Sequence, residues 1–173
     1  MLSIASIFLS VLLAGASPAR ATCSPAILGT NISITNGPLE AGFSSNGLTL
    51  VSQPISVATP EFAVAASSFS GNFTLLKVTN KALALTNTGA LPETLSVGSA
   101  SASAQSWAVQ CSSCVSENGP PGSTLIGEGC LVVSQLDQRC LNIGLSTTTP
   151  VGSPVTLGNC QAVGSSINIY IAA

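Results

Sequence analysis

The chain of 173 residues contains no histidine. That excludes the Ser/His/Asp and Cys/His arrangements that activate nucleophiles, and it removes the commonest zinc ligand. Charge is nearly as scarce: Asp, Glu, Lys and Arg make up 6% of the residues, against about 25% in an ordinary globular chain. The six acids, Glu40, Glu61, Glu93, Glu117, Glu128 and Asp137, are scattered. Glu117 and Glu128 flank one turn-rich stretch, but no motif sets two carboxylates at glycosidase spacing. The expectation is a chain with no catalytic residues, no cofactor and no metal, and therefore not an enzyme.

Basic residues are fewer still. Beyond residue 21 only Lys77, Lys81 and Arg139 remain against six acids, a formal net charge of −3. Such a chain has no cationic footprint for nucleic acid or for anionic lipid. Helical signals are also missing: past the N-terminal run, no stretch repeats apolar residues at i, i+3, i+4 and i+7 with caps. Val, Ile, Thr and Ser dominate and turns recur at close intervals, which reads as all-β.

Leu2 to Leu13 is an apolar run followed by small residues and Ala19-Arg20-Ala21. This is the pattern of a cleaved secretory leader over residues 1–21, too short to span a bilayer. The mature part, 22–173, then suits a single domain. It is expected to be secreted and extracellular, with no membrane association after leader cleavage. Its solubility must rest on hydroxyls and amides, and the sequons Asn31-Ile32-Ser33 and Asn72-Phe73-Thr74 add two candidate glycosylation sites in such a compartment.

Within the mature part an order of apolar positions recurs three times. Leu48 and Leu50, then Phe62 and Val64, then Phe73 form one copy; Leu83 and Leu85, Leu95 and Val97, and Trp107 a second; Leu141 and Ile143, Val155 and Leu157, and Tyr170 a third. From Leu50 to Leu85 is 35 residues, and from Phe73 to Trp107 is 34. From Leu85 to Ile143 the gap widens to 58, and the excess lies in the turn-rich stretch from Cys111 to Cys130. The copies are expected near residues 30–73, 74–110 and 130–173, with an insertion at 111–129. AGFSSNG, from Ala41, and SVGSASASAQ, from Ser96, read as surface loops.

Cys140-Leu141-Asn142-Ile143, Val155-Thr156-Leu157-Gly158-Asn159-Cys160 and Gln105-Ser106-Trp107 carry a resemblance to the ricin B-type lectin repeat, which builds a β-trefoil. The resemblance implies three pseudo-symmetric repeats closing one core, with Leu50, Leu85 and Ile143 as symmetry mates and Trp107 inside. Gln105 would hold its own repeat's backbone. Of the six cysteines, an even number behind a leader argues for disulfides, and C-x-x-C at Cys111 and Cys114 is read as structural. The resemblance implies Cys140 with Cys160; Cys130 closes the insertion onto Cys111 or Cys114, and Cys23 ties down the N-terminus.

Sugar binding in that family uses an acid after the first repeat cysteine, an aromatic platform and a nearby amide. The third copy places Asn142 at the acidic position, Gly158 near the aromatic one and Asn168 near the amide one. The first and second copies offer Thr49 and Ala84 at the acidic position. Asn142, Asn159 and Asn168 are thus the candidate carbohydrate-binding residues. The functional expectation is a non-enzymatic, lectin-like module whose partners are glycans. The alternatives are a trefoil presenting its insertion to an extracellular protein, as an inhibitor or effector does, or a structural extracellular protein.

Overall fold

The computed structural model describes residues 22–57, 59–89, 94–97, 102–145 and 147–172; the leader expected at 1–21 lies outside them. Thirteen strands run through the described residues: β1 Asn31–Asn36, β2 Leu39–Phe43, β3 Leu50–Pro54, β4 Phe62–Ala66, β5 Phe73–Lys77, β6 Asn80–Thr86, β7 Thr94–Val97, β8 Trp107–Gln110, β9 Glu117–Asn118, β10 Ser123–Ser134, β11 Cys140–Asn142, β12 Thr156–Gly158 and β13 Ile167–Ala172. The only helical elements among them are 3-10 turns at Ala102–Gln105 and Val163–Ser165. The fold is all-β.

Six strands close a ring by antiparallel pairing: β1 to β4, β4 to β5, β5 to β8, β8 to β10, β10 to β13, and β13 back to β1. Closure leaves no open edge in the ring on which another strand could pair. Three hairpins, β2 with β3, β6 with β7 and β11 with β12, cap it. The first cap is knitted to the third: Ser52 N–H donates to Ser153 O at 2.8 Å and Val155 N–H to Leu50 O at 3.1 Å.

The interior is one continuous cluster. Phe62, Trp107 and Ile167 open β4, β8 and β13, and each is fully buried. Trp107 also donates its indole N–H to Leu85 O at 3.0 Å, so the ring is placed by a hydrogen bond as well as by packing. The neighbouring Gln105 reaches the Thr86 hydroxyl at 3.3 Å, a side chain rather than the backbone expected of it. Leu50, Leu85 and Ile143 all lie in the same core cluster.

They are not equivalent positions, however. Leu50 starts β3, the second strand of its hairpin, whereas Leu85 lies on β6 and Leu141 on β11, the first strands of theirs. The displacement traces to β2, part of which reads as a loop in sequence. All five of its residues, Leu-Glu-Ala-Gly-Phe, are buried, so they show no alternation of apolar and polar. Skipping that strand shifts the first copy by one element. For the same reason Phe73 pairs across from Trp107 rather than standing in its place, and Thr49 is not on the strand that carries Asn142.

The stretch expected as an insertion is a loop only in its first half. From Ser123 it is already the barrel strand β10, paired with β13 from Ser123 opposite Ala172 to Cys130 opposite Ile167, with irregularities at Leu125 to Gly127 and Gly127 to Cys130. The short β9 lies against β10. The three disulfides are Cys23–Cys114, Cys111–Cys130 and Cys140–Cys160. The last two close loops of about 20 residues, each worth about 3 kcal/mol by restriction of the unfolded chain.

Trp107 is the largest side chain removed from solvent. Trp107→Ala is expected to lower unfolding free energy by about 3–5 kcal/mol. Trp107→Phe is expected to cost about 1–3 kcal/mol, because the buried Leu85 carbonyl loses its donor. Denaturant unfolding of the two variants measures both.

Candidate functional site

A cleft of about 470 Å3 opens where the second and third hairpin-bearing units of the ring meet. One wall comes from the N-terminal lead and the end of β8. Cys23 and Cys111 exchange backbone hydrogen bonds at 2.9 and 2.8 Å, which brings Thr22, Gln110 and Ser112 to the rim. The floor is Gly129 and Leu131 of β10, and the far wall is the 160–166 stretch with Gln161, Ala162 and Ser166.

The three disulfides gather here. Cys111 and Cys160 line the cleft, their partners Cys130 and Cys140 stand on β10 and β11, and Cys23 follows Thr22. Walls clamped in this way lose little freedom when a ligand arrives, so less binding energy is spent on ordering them.

The lining is chemically uniform. Hydroxyls of Thr22, Ser112 and Ser166 and carboxamides of Gln110 and Gln161 face it, with Leu131 and Ala162 supplying apolar surface; none of the lining groups titrates. Among the described residues, Gln110 and Gln161 have no side-chain hydrogen bonds and both are exposed. Each offers two donors and an acceptor. Ser112 already donates its hydroxyl to Glu128 O at 2.9 Å and keeps its lone pairs. Such a surface matches a neutral, polyhydroxylated ligand and offers nothing to an ion.

The three asparagines picked out in the sequence brace this cleft without lining it. Asn168 Oδ1 accepts the Gly129 N–H at 3.2 Å. Gly129 has a φ of +57° at the β10 irregularity, a left-handed conformation for which glycine is suited. Asn159 Oδ1 accepts the Gln161 N–H at 2.9 Å and so sets the turn that presents Gln161. Asn142 Oδ1 accepts the Gly144 N–H at 2.8 Å, and Ile143 N–H next to it bonds Gly164 O at 3.2 Å, which anchors the far wall from behind. The carboxamide oxygens are thus engaged locally. Gln110 and Gln161 were missed because an uncharged polar residue at a strand end or in a turn reads as ordinary surface; their one sequence signal is direct adjacency to Cys111 and Cys160.

A second polar cluster escaped sequence reasoning altogether. Glu40 on β2 is 2% exposed and accepts the Ser56 N–H at 2.5 Å. The Ser33 hydroxyl stands close enough to favour its charged form, yet neither that Oγ nor Glu40 Oε1 has a hydrogen bond of ordinary geometry among the described residues. Burial dominates and pushes the Glu40 carboxyl above its ordinary range. Burial likewise raises Glu61, with the Glu40 charge adding to the rise and Lys77 opposing it. The Lys77 ammonium donates to Gly47 O at 2.8 Å and sits 4.5 Å from the centre of the Phe43 ring. These acids, rather than Glu117 and Glu128, are the ones the fold brings together.

No protein-family model matches the chain, and no curated protein matches it in sequence. Solved structures do share its fold. A mosquitocidal holotoxin matches with a TM-score of 0.59 at 12% identity over 85% of this chain, which spans 18% of the length of that toxin. A designed 3-fold symmetric protein, ThreeFoil, matches with a TM-score of 0.55 at 10% identity over 82% of this chain and 98% of its own. SeviL, solved bound to the asialo-GM1 saccharide, matches with a TM-score of 0.50 at 13% identity over 83% of this chain and 98% of its own. These likenesses show the fold, a β-trefoil.

Both Glu40 and Glu61 bind protons more tightly folded than unfolded. The stability they contribute is full below the ordinary value of 4.5 and is lost as the pH rises through their raised folded-state values. The expected result is a midpoint of thermal unfolding that falls between pH 4.5 and 7. Glu40→Gln should flatten that slope and raise stability at pH 7, as thermal unfolding across the range will read.

Proposed function

We propose that this chain is a secreted, non-enzymatic β-trefoil that binds neutral glycans in the disulfide-clamped cleft between its second and third units. The observation that carries the reading is the lining: hydroxyls, two unengaged carboxamides and apolar carbon, with no titratable group. Sugars present both hydroxyls and C–H faces, and amides exchange hydrogen bonds with hydroxyls in either direction. That a protein of the same fold holds a saccharide is consistent with this at the level of fold alone.

Secretion is supported by three disulfides, which persist in oxidising compartments, and by the leader pattern. Among the described residues no helix is long and apolar enough to cross a membrane. The absence of catalysis is supported by the lining, which holds no titratable group, and by the burial of Glu40, which is 2% exposed.

A second reading is favoured by one observation. Ser116 to Gly122, which comprise β9 and its turn into β10, are largely exposed and flanked by two disulfide-bonded segments, a shape suited to docking on a protein. Separating the readings requires changing the tip alone, because residues from Ser123 onward belong to the barrel.

Glycan-array and calorimetric binding of the protein secreted from eukaryotic cells tests the proposal. Binding to neutral glycans is expected, with the sugar recovered intact. Gln110→Ala combined with Gln161→Ala should weaken it by roughly 10-fold or more, since each lost hydrogen bond is worth about 0.5–1.5 kcal/mol. Substitution of the tip residues Pro120 and Pro121 should leave it unchanged. Absence of glycan binding, or equal binding by the glutamine double variant, contradicts the proposal.

A further inference from the structure

The turn that joins β4 to β5 carries one of the two sequons on a distinctive frame. Ser67 N–H donates to Asn72 O at 3.1 Å, and Asn72 N–H donates to Phe69 O at 3.1 Å, so residues 69–72 close a four-residue turn at the hairpin tip. Gly71, third in that turn, has a φ of +79°, the left-handed value that a type II turn demands and glycine accepts. The backbone leading into it is pinned. Phe69 N–H donates to Ser67 Oγ at 3.2 Å, and Ser67 Oγ in turn shares a hydrogen bond with Ser106 Oγ at 2.7 Å.

On this rigid turn Phe69 is 44% exposed, one of few large apolar side chains so displayed. Asn72 is half-buried, and among the described residues its carboxamide has no hydrogen-bond partner. Thr74, which completes the sequon, stands two residues on, as the second residue of β5. The other sequon differs. Asn31 opens β1 with no aromatic in the three residues before it, Leu28, Gly29 and Thr30, and its Ser33 is fully buried beside Glu40.

We propose that Asn72 carries an N-linked glycan whose first N-acetylglucosamine lies on the Phe69 ring and stabilises the β4–β5 hairpin. The proposal rests on the secretion reading, because the donor is a polyprenyl-diphosphate-linked oligosaccharide of the secretory route. In the transfer the C1–O bond to the diphosphate breaks and a bond forms from C1 to Asn72 Nδ2. The amide nitrogen gives up one proton, and the lipid diphosphate leaves. The pyranose C–H face then removes from water the apolar area that Phe69 exposes. The turn holds the backbone of Phe69 and Asn72 in place beforehand, so little backbone freedom is spent on the contact.

The test uses the full chain expressed in eukaryotic secretory cells, once with its own first 21 residues and once with a standard cleavable leader in their place. Mass spectrometry reads occupancy at Asn72. Thermal unfolding compares the intact glycoprotein, the form trimmed to a single N-acetylglucosamine by an endoglycosidase, and the form stripped by an amidase, each in wild type and in Phe69→Ala. Asn72 is expected to be occupied. Stripping should lower the wild-type midpoint by about 2–4 °C and trimming should not, while in Phe69→Ala stripping should change it by about 1 °C or less. An Asn72 left unmodified with both leaders, or an equal drop in both backgrounds, overturns the proposal. Occupancy seen only with the standard leader upholds the role of the turn and overturns secretion by the chain's own leader.

Discussion

The structure depends on one seam, the pairing of the first barrel strand with the last. Ile32, Ser33, Ile34 and Thr35 stand opposite Ile171, Tyr170, Ile169 and Asn168. The remaining contacts of the ring could form as an open sheet, but an open sheet of this composition would expose two long edges of apolar strand to other chains. Closure removes both edges, and it also encloses Ile32, Ile34, Trp107, Ile167 and Ile169 in one interior. The register is pinned from both sides, because β1 meets β4 as well as β13 and β13 meets β10 as well as β1.

A chain with so little charge has to handle polarity by other means. Buried hydroxyls and amides are matched to one another: Asn87 Nδ2 donates to Ser134 Oγ at 2.8 Å, and the Ser52 hydroxyl to Pro150 O at 3.0 Å. The exception is the Glu40 region, where burying a carboxylate costs free energy that one backbone donor and a nearby hydroxyl offset only in part. At the opposite extreme, the cleft between the second and third units leaves two amides unengaged on walls that disulfides hold. Polar groups free to bond, on a frame that does not move, are the conditions under which a modest surface binds a neutral ligand. The glycan proposal takes its physical content from that contrast.

Much of this was legible in sequence, for identifiable reasons. Strands with alternating burial, such as β12, or β13 with its buried Ile167 and Ile169, announce themselves by period. Trp107 could be placed inside because the Gln105-Ser106-Trp107 resemblance implies a core position for that tryptophan, where its area is buried. The even cysteine count pointed to disulfides, and the ones joining Cys140 to Cys160 and Cys111 to Cys130 each link segments about 20 residues apart. What failed was the strand buried on both faces. Leu39 to Phe43 contains a charged residue and a glycine, so neither alternation nor β-propensity marks it, and its loss displaced the alignment of the first copy. The cleft was illegible for a different reason. Gln110 and Gln161 are 51 positions apart in the chain, and only the meeting of β8, β10 and the 160–166 stretch makes them neighbours. The asparagines chosen instead are structurally consequential, but as braces of backbone turns.

Native-state hydrogen exchange measured strand by strand tests the closed ring most directly. If the seam holds the fold together, the hydrogen-bonded amides of β1 and β13 exchange only through global unfolding, with the same free energy and denaturant dependence as those of β5 and β8 at the far side of the barrel. Exchange of β1 or β13 through a separate, lower-energy opening, while β5 and β8 stay protected, would contradict the account.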